Sequence, residues 1–567
     1  MSKHKYILGL WDGHDAGAAL IAGDQILCCI NEERITRKKL DVGFPVQSIL
    51  TILKTQGIKP EEITDVAFTT SDFSKTLTRM IPSLKDSYYQ IRRRKVMPGV
   101  FYQIKKSAKY LLTLFPSNAF FRWMSREYIK KELKSLGFKS PMIHLVGHHD
   151  AHAVCAAYCS GMNDALVITL DGIGDGLSGS AWKLESGKLT PYKSISGRDS
   201  FGIFFEHVTN LMNMRELEDE GKVMALANYA FPIEDSKNPM LSLFKIDSSG
   251  VHCKYGPLKL YKELKTIQWK YPFEQFAYMA QRVLEVKVLE FIQSLLKETG
   301  ATRIAYAGGV ASNIKINRLI RELPGVSELF VFPHMGDGGQ ALGAAMAVNE
   351  KQNGINKYSL KDLYLGNGYT DSEIETEVKR TGLKYKRIEN PVETAAQLIS
   401  DGEIIFWFQG RMEYGPRSLG ARSILSRPDS VEIKDRLNLS LKRRVWYQPF
   451  CPSMLEADAK IVIKNYDGDI NPFMTRAYLV NREHQDKLQG VIGIDGTCRP
   501  QILRGNEGTP YANLIQKVKD KTGLGVVLNT SFNIHGEPLV CSPYDALKAL
   551  KETGVKHLVM GNYYIEQ

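Results

Sequence analysis

The chain reads as a mixed α/β protein of two domains, the first of them built from two copies of one unit. Three observations carry this. Tyr6 to Trp11 is an apolar run closed by Asp12-Gly13 and resumed over Ala18 to Ile21, with a second turn at Gly23-Asp24. The same pattern returns about 160 residues later, at Ala165 to Leu170, Asp171-Gly172, a glycine-rich turn through Gly179, and Ser180 to Leu184. After Val348 the composition turns polar and loses its periodicity, which places the first domain at 1–349. A connecting region at 350–384 and a second α/β domain at 385–567 follow, with strands at Ile404 to Phe408 and Gly525 to Leu528.

A single Asp-Gly hairpin has no functional meaning, because it is the commonest hairpin turn. Two of them, each followed by small residues, suit a backbone that approaches phosphate from two sides. Two further glycine turns open helices. Ile304 to Ala307 runs into Gly308-Gly309 and Ala311-Ser312-Asn313, and Gly336-Asp337-Gly338-Gly339 precedes an Ala- and Gly-rich helix. Free N–H groups at such turns bind anions, and four in one domain point to a nucleotide.

Apolar residues make up 43% of the 567 and charged residues 24%, which supports full-sized cores and excludes a globally disordered chain. The net charge of +12 is concentrated: Lys75 to Lys139 holds 16 basic and 3 acidic residues, and the remainder is close to neutral. This segment, an insertion over about 73–140, is the basic feature; the rest does not resemble a nucleic-acid coat. No run approaches the roughly 18 to 20 apolar residues of a membrane span. Asp12, His14 and Asp15 interrupt any signal-peptide core. Eight sparse cysteines fit a reducing compartment, and the expected location is cytoplasmic. Cys155 and Cys159, at helical spacing, read as small buried residues rather than a metal pair.

The metal signal is Gly147-His148-His149-Asp150-Ala151-His152-Ala153. His148 and His152, four apart on a helix, direct both imidazoles to one side, whereas His149 lies about 100° round the axis. Asp171 and Asp337, each in a glycine turn, are the natural further ligands. The anion signal lies in the second domain. Arg411, Arg417 and Arg422 alternate with glycine, proline and serine, so their planar forks can converge on an oxyanion. Lys442-Arg443-Arg444, Arg499, Arg504 and Asn529-Thr530-Ser531-Phe532-Asn533 add to it, and the ligand is a small phosphate or carboxylate.

Together these blocks resemble the NodU/TobZ-type carbamoyltransferase family through nearly the whole chain. The GHHDAHA stretch, the LDGIGDG and AGGVASN turns and the GDGGQALGAA loop look like its Kae-type N-terminal domain, of the actin/sugar-kinase fold. The GRMEYGPRSLGARSIL block and NTSFN look like its YrdC-like C-terminal domain. The resemblance implies that carbamoyl phosphate and ATP (with Mg2+) give carbamoyl-adenylate and pyrophosphate, and that a small-molecule hydroxyl then takes the carbamoyl group. It implies a metal on His148, His152 and Asp337 with Asp171 in or near the shell, iron first and zinc or manganese as alternatives. It places the base at His14, with Lys39 as a basic group near the same pocket. Asp12, Gly172, Gly308, Gly309 and Asn313 are then nucleotide contacts, and Glu220 closes that pocket. Carbamoyl phosphate and ATP would meet Arg411, Arg417, Lys442, Arg443, Arg499, Asn529 and Ser531. One departure stands out: the family pattern has a glutamate and an arginine where this chain has Val445 and Gln448.

Three readings of the basic segment compete: steering of an acidic acceptor, a surface for a lipid-linked acceptor at an anionic membrane, or a solvated hairpin or homodimer face. Two rival functions also stand. One is tRNA threonylcarbamoylation, with the basic segment on tRNA; the other is a non-catalytic nucleotide-binding protein of the actin-like fold. Fusion of both domain types in this order favours small-molecule O-carbamoylation, with no nucleic acid as partner.

Overall fold

The structure, a computed structural model, describes residues 5–97, 99, 109, 111–115, 117–534 and 536–567. The chain divides into two compact units, Met1–Glu32 with Leu40–Leu360, and Glu33–Lys39 with Lys361–Gln567.

In the first unit the strands are β1 (Tyr6–Trp11), β2 (Gly17–Ala22), β3 (Gln25–Asn31), β4 (Ile63–Thr69) and β5 (Met142–Val146). Then come β6 (Ala165–Gly174), β7 (Leu177–Glu185), β8 (Lys188–Ser196), a small hairpin of β9 (Phe244–Asp247) and β10 (Gly250–Cys253), β11 (Arg303–Ala307) and β12 (Glu328–Val331). The first sheet runs β3-β2-β1-β4-β5 and the second β8-β7-β6-β11-β12. In each, the three hairpin strands are antiparallel and the two crossover strands add in parallel. The two sheets, with one strand order, are therefore the two copies expected from sequence. Its buried strands are almost wholly apolar, as sheets covered on both faces require.

The second hairpin differs from its expected form. Asp171 and Gly172 lie in a bulged end of β6, where the pairing with β7 shifts register between Leu170 and Gly174. The tight turn is Asp175-Gly176, whose φ values of +50° and +84° are the left-handed pair such a hairpin needs. The bulge redirects the Asp171 side chain. The helix Gln340–Asn353 packs closely on the helix His148–Cys159: a Cβ on Gly343 would lie 2.1 Å from the Ala151 carbonyl oxygen. That approach brings the Asp337 turn to the histidines.

The basic segment forms helices Phe73–Met80, Pro82–Arg92 and Ala119–Ser135, with Lys105, Lys106 and Tyr110 outside the described residues. Much of its charge faces inward. Arg79 Nε donates to Asp12 Oδ2 at 2.8 Å, and Lys85 lies 3.4 Å from the same oxygen. Arg92 pairs with Glu206 and Glu216, and Arg93 with Glu218. Burial alone would raise the Asp12 carboxyl; Arg79, Lys85 and Lys75 instead hold it far below the ordinary range. Burial likewise lowers Lys85, to about 7. Removing one partner from such a pair strands a buried charge, so Arg79→Met is expected to cost about 3–5 kcal/mol in urea unfolding.

The second unit holds β13 (Lys384–Arg387), β14 (Ile405–Phe408), β15 (Arg422–Ser426), β16 (Cys451–Leu455), β17 (Tyr478–Leu479), β18 (Thr497–Cys498), β19 (Gln501–Leu503), β20 (Val526–Ser531), β21 (His557–Met560) and β22 (Tyr563–Glu566). Eight of them form one mixed sheet, β13-β22-β21-β14-β15-β20-β16-β19. Helices Pro391–Ser400 and Pro510–Thr522 pack against one another, and Ala395, Ile399, Leu514 and Ile515 lie in one core with Trp407 and Val527. The other core includes Ile374 and Val378 of the helix Asp371–Lys379. Residues 361–384, expected as a connector, are thus part of this unit. So is Glu33–Lys39: Ile35 packs on its core, and Arg37 donates to the carbonyls of Pro538 and Leu539 at 2.8 and 2.6 Å.

Among the described residues, no helix is long and apolar enough to cross a membrane.

Candidate active site

In the first unit, four side chains from three elements converge. His148 and His152 lie one turn apart on a helix entered from Gly147, Asp171 comes from the β6 bulge, and Asp337 opens the turn Asp337–Gly339. One ligand atom from each lies within 4.8 Å of the other three. His148 Nε2 is 3.0 Å from Asp171 Oδ2 and 3.4 Å from Asp337 Oδ1; for His152 Nε2 the distances are 3.7 and 3.5 Å. His152 Nε2 and Asp337 Oδ1 are buried without a hydrogen-bond partner.

The groups behind the cluster fix its orientation. Thr70 Oγ1 lies 3.2 Å from His148 Nδ1, which leaves Nε2 to face the aspartates, and Gly309 N donates to Asp171 Oδ1 at 2.8 Å. Thr70 is held at φ +64°, a strained position for a β-branched residue. Gly174 admits no side chain, since a Cβ there would lie 2.2 Å from the His148 ring. Two imidazoles and two carboxylates around orphaned buried atoms are a donor set that fits a divalent transition metal. Burial would lower His152, but the charges of Asp171 and Asp337 close by raise it to about 9. A proton is stabilised where a cation fits.

His149 turns away, with Nδ1 2.8 Å from Thr169 Oγ1. Cys155 Sγ faces the Gly339 carbonyl at 3.6 Å, and burial pushes the Cys159 thiol up to about 12.

His14 lies at the rim of this cluster, its Nδ1 3.4 Å from Asp337 Oδ2 and its ring 5.7 Å from that of Tyr89. Burial lowers its pKa to about 4 against the pull of Asp337, with Lys75 and Arg92 adding to the fall. The imidazole is therefore neutral at pH 7 and can accept a proton. Glu220 behaves oppositely: burial, then Glu206 and Glu216, raise it from 4.5 to about 8. Such a carboxyl holds its proton better when folded, so its contribution to stability falls as pH rises from about 4.5 to about 8. Glu220→Gln is expected to flatten that fall, read as the difference in unfolding free energy between about pH 5 and pH 8.

In the second unit, Arg417, Arg444 and Arg499 gather around Cys451. Arg499 donates to Cys451 Sγ at 3.2 Å from Nε and 2.9 Å from Nη2. Burial, then Arg499, lowers Arg417 to about 9; burial also lowers Arg444 to about 10. Among the described residues, Arg417 Nε, Arg444 Nη2 and Gln448 Oε1 are buried with no hydrogen-bond partner. Arg444 is held by Asn438 Oδ1 at 2.6 Å and lies 4.2 Å over the Phe450 ring. Lys442 Nζ donates to Asn533 Oδ1 at 2.6 Å and to the Ser531 carbonyl. Guanidiniums that lower one another's pKa in a buried space form a site for an anion.

The sequence matches two family models, "Carbamoyltransferase N-terminus" over residues 6–346 and "Carbamoyltransferase C-terminus" over residues 396–567. The chain belongs to the carbamoyltransferase family. It is 30% identical to nodulation protein NolNO of Sinorhizobium fredii over 98% of this chain and 79% of that protein. It is 34% identical to nodulation protein NolO of Bradyrhizobium diazoefficiens over 74% of this chain and 79% of that one. An uncharacterized protein of Methanocaldococcus jannaschii matches at 32% identity over 99% of both. Among solved structures, full-length HypF in its phosphate- and nucleotide-bound form matches 63% of this chain and 57% of its own, at 12% identity and a TM-score of 0.37.

In this carbamoyltransferase the expected residues separate into those brought together and those that are not. His14, His148, His152, Asp171 and Asp337 converge, with Gly309 hydrogen-bonded to Asp171. Gly308 lies at φ +96° beside Leu170, and the Gly172 carbonyl accepts from Ser200. Asp12 is taken up by Arg79 and Lys85. Asn313 caps the helix Ile314–Arg321 and exchanges hydrogen bonds with Gln281. Lys39 belongs to the second unit, where its charge acts on Lys442.

Of the residues expected to meet carbamoyl phosphate and ATP, Arg417 and Arg499 lie at the Cys451 cluster, and Lys442 bonds to Ser531. Arg411 instead donates to the carbonyls of Gly366 and Leu365, and Arg422 to those of Gln409 and Ala421. Asn529 lies deep in the sheet, donating to the Ser418 carbonyl and Ser453 Oγ. Arg443 is exposed, and its neighbour Arg444 is the one that turns inward. Arg444, expected within the basic Lys442-Arg443-Arg444 run, turns inward; Cys451 was not expected at the site, and its only signal was its place just after the altered Val445 and Gln448 positions.

Proposed function

We propose that this carbamoyltransferase forms carbamoyl-adenylate in its second unit and delivers the carbamoyl group to a small-molecule hydroxyl in its first. The observation that carries the reading is the pair of separately built sites: an arginine cluster with no carboxylate partner among the described residues, and a His2Asp2 cluster with a neutral histidine beside it. In the first step water hydrolyses carbamoyl phosphate to carbamate and inorganic phosphate, and a carbamate oxygen then attacks the α-phosphorus of ATP as pyrophosphate departs. Arg417, Arg444 and Arg499 hold the anionic reactants in a desolvated space, where each charge-assisted hydrogen bond counts most. Lys442, lowered by burial and by Arg444, orders the Ser531–Asn533 edge beside them.

In the second step an acceptor oxygen attacks the carbamoyl carbon, the bond to AMP breaks, and the hydroxyl proton goes to His14 Nε2. His14 is suited to this because its Nδ1 faces Asp337, which fixes the ring and steadies the imidazolium that forms. His148, His152, Asp171 and Asp337 would hold a divalent cation, with iron favoured, which would supply positive charge beside the departing AMP phosphate.

Pyrophosphate release from ATP tests the first step without any acceptor. Release that requires carbamoyl phosphate is the expected result. No release, with ATP demonstrably bound, would overturn the donor assignment and leave a nucleotide-binding protein.

A further inference from the structure

We infer that the outer face of the helix Ala119–Ser135 docks the protein on an anionic lipid bilayer. This does not rest on the transfer reading, and its tests are scored apart from pyrophosphate release.

Exposed apolar side chains are normal when scattered and informative when gathered. Among the described residues, nine of the 23 exposed large apolar side chains fall between Met80 and Trp123. Met97 is 88% exposed, Phe120 59% and Trp123 58%. The Phe120 ring lies 6.1 Å from that of Trp123 and 5.7 Å from that of Phe121, so these aromatics form one patch.

The helix is two-faced. Ser125, Ile129 and Leu133 are buried, and Ser125 Oγ accepts from Arg79 Nη1 at 2.9 Å, inside the pair that holds Asp12. At about 100° per residue, Phe120, Trp123, Lys130, Lys131 and Lys134 fall within one arc of about 100° on the opposite side. All five are exposed, and so is Arg126, about 40° outside that arc. Glu127, the one exposed acid of the helix, falls inside the same arc and is paired with Lys130 at 2.6 Å, so the face keeps a net positive charge. Aromatic rings fill one end of the stripe and cations the other.

A bilayer accepts this arrangement: rings enter the headgroup boundary while lysine stems lie along it and place their ammonium groups at lipid phosphates. A second copy of this face would oppose like charges and is disfavoured.

The test is co-sedimentation of the full-length protein with vesicles of phosphatidylcholine alone and with about 30% phosphatidylglycerol. Partition is expected to be about 10-fold stronger on the anionic vesicles, with a blue shift of tryptophan emission, and to be lost at about 0.5 M salt. Phe120→Ser/Trp123→Ser and Lys130→Glu/Lys131→Glu/Lys134→Glu should each weaken it about 10-fold, with far-UV circular dichroism unchanged. No partition, or equal partition by wild type and variants, would overturn the inference. So would vesicle-independent self-association, or binding to a 20-mer RNA tighter than to vesicles, if either is abolished by the same substitutions.

Discussion

Arg417→Ala is expected to lower carbamoyl phosphate-dependent pyrophosphate release by about 10²–10³-fold without lowering the melting temperature. The size follows from removing one charged donor from a buried anion site, a loss of about 2.7–4 kcal/mol. The unchanged stability follows from its surroundings. Burial and Arg499 both act against the Arg417 charge, and its Nε has no partner to lose. Arg422 provides the contrast. It is fully buried, donates to the carbonyls of Gln409, Ala421 and Gly410, and lies 3.5 Å over the Phe408 ring. Arg422→Ala is expected to unfold the second unit at markedly lower urea, because it leaves buried carbonyls unsatisfied. Arg417→Lys keeps the charge but loses the planar fork, so partial rescue of release is expected. A melting temperature that falls with Arg417→Ala while release persists would assign Arg417 to structure instead.

His152→Ala is expected to weaken metal retention and carbamoyl transfer while leaving pyrophosphate release intact. The four-residue cluster retains three donors in this variant, and the loss should appear as about 10–100-fold weaker metal affinity. His14→Ala is the companion variant. It removes the proposed proton acceptor and none of the four metal ligands, so metal content should remain while transfer falls by about 10²–10⁴-fold. Metal analysis after dialysis, with both half-reactions assayed separately, distinguishes the two. Loss of pyrophosphate release in His152→Ala would show that the two sites do not divide the reaction.

The duplicated first domain was readable because its signal is local. Apolar runs closed by Asp-Gly turns recur in sequence, and the same strand order recurs in the two sheets. The helical pair His148 and His152 was readable for a similar reason: four residues is one turn, and one turn puts both rings on one side. Other assignments depended on direction. Arg411, Arg417 and Arg422 look alike in sequence, yet two are held by backbone carbonyls and one lies beside Arg499 and Cys451. An arginine side chain is long enough to do either, and only the packing around it decides. Arg443 and Arg444 repeat the lesson one residue apart, because the left-handed backbone at Arg443, φ +44°, re-aims the chain.

The basic segment shows the same division most clearly. Its composition alone established a local excess of positive charge, but Arg79, Lys85, Arg92 and Arg93 are buried against Asp12, Glu206, Glu216 and Glu218. Those acids lie up to 125 residues away, so no local pattern could have paired them. Periodicity and turn chemistry act over a few residues, and they determined the strands, the glycine turns, the histidine pair and the order of the two domains. Which cations face solvent, which are neutralised by acids and which are buried beside other cations was decided by the tertiary fold. There the cost of burying an unpaired charge selects one partner among many of the same type.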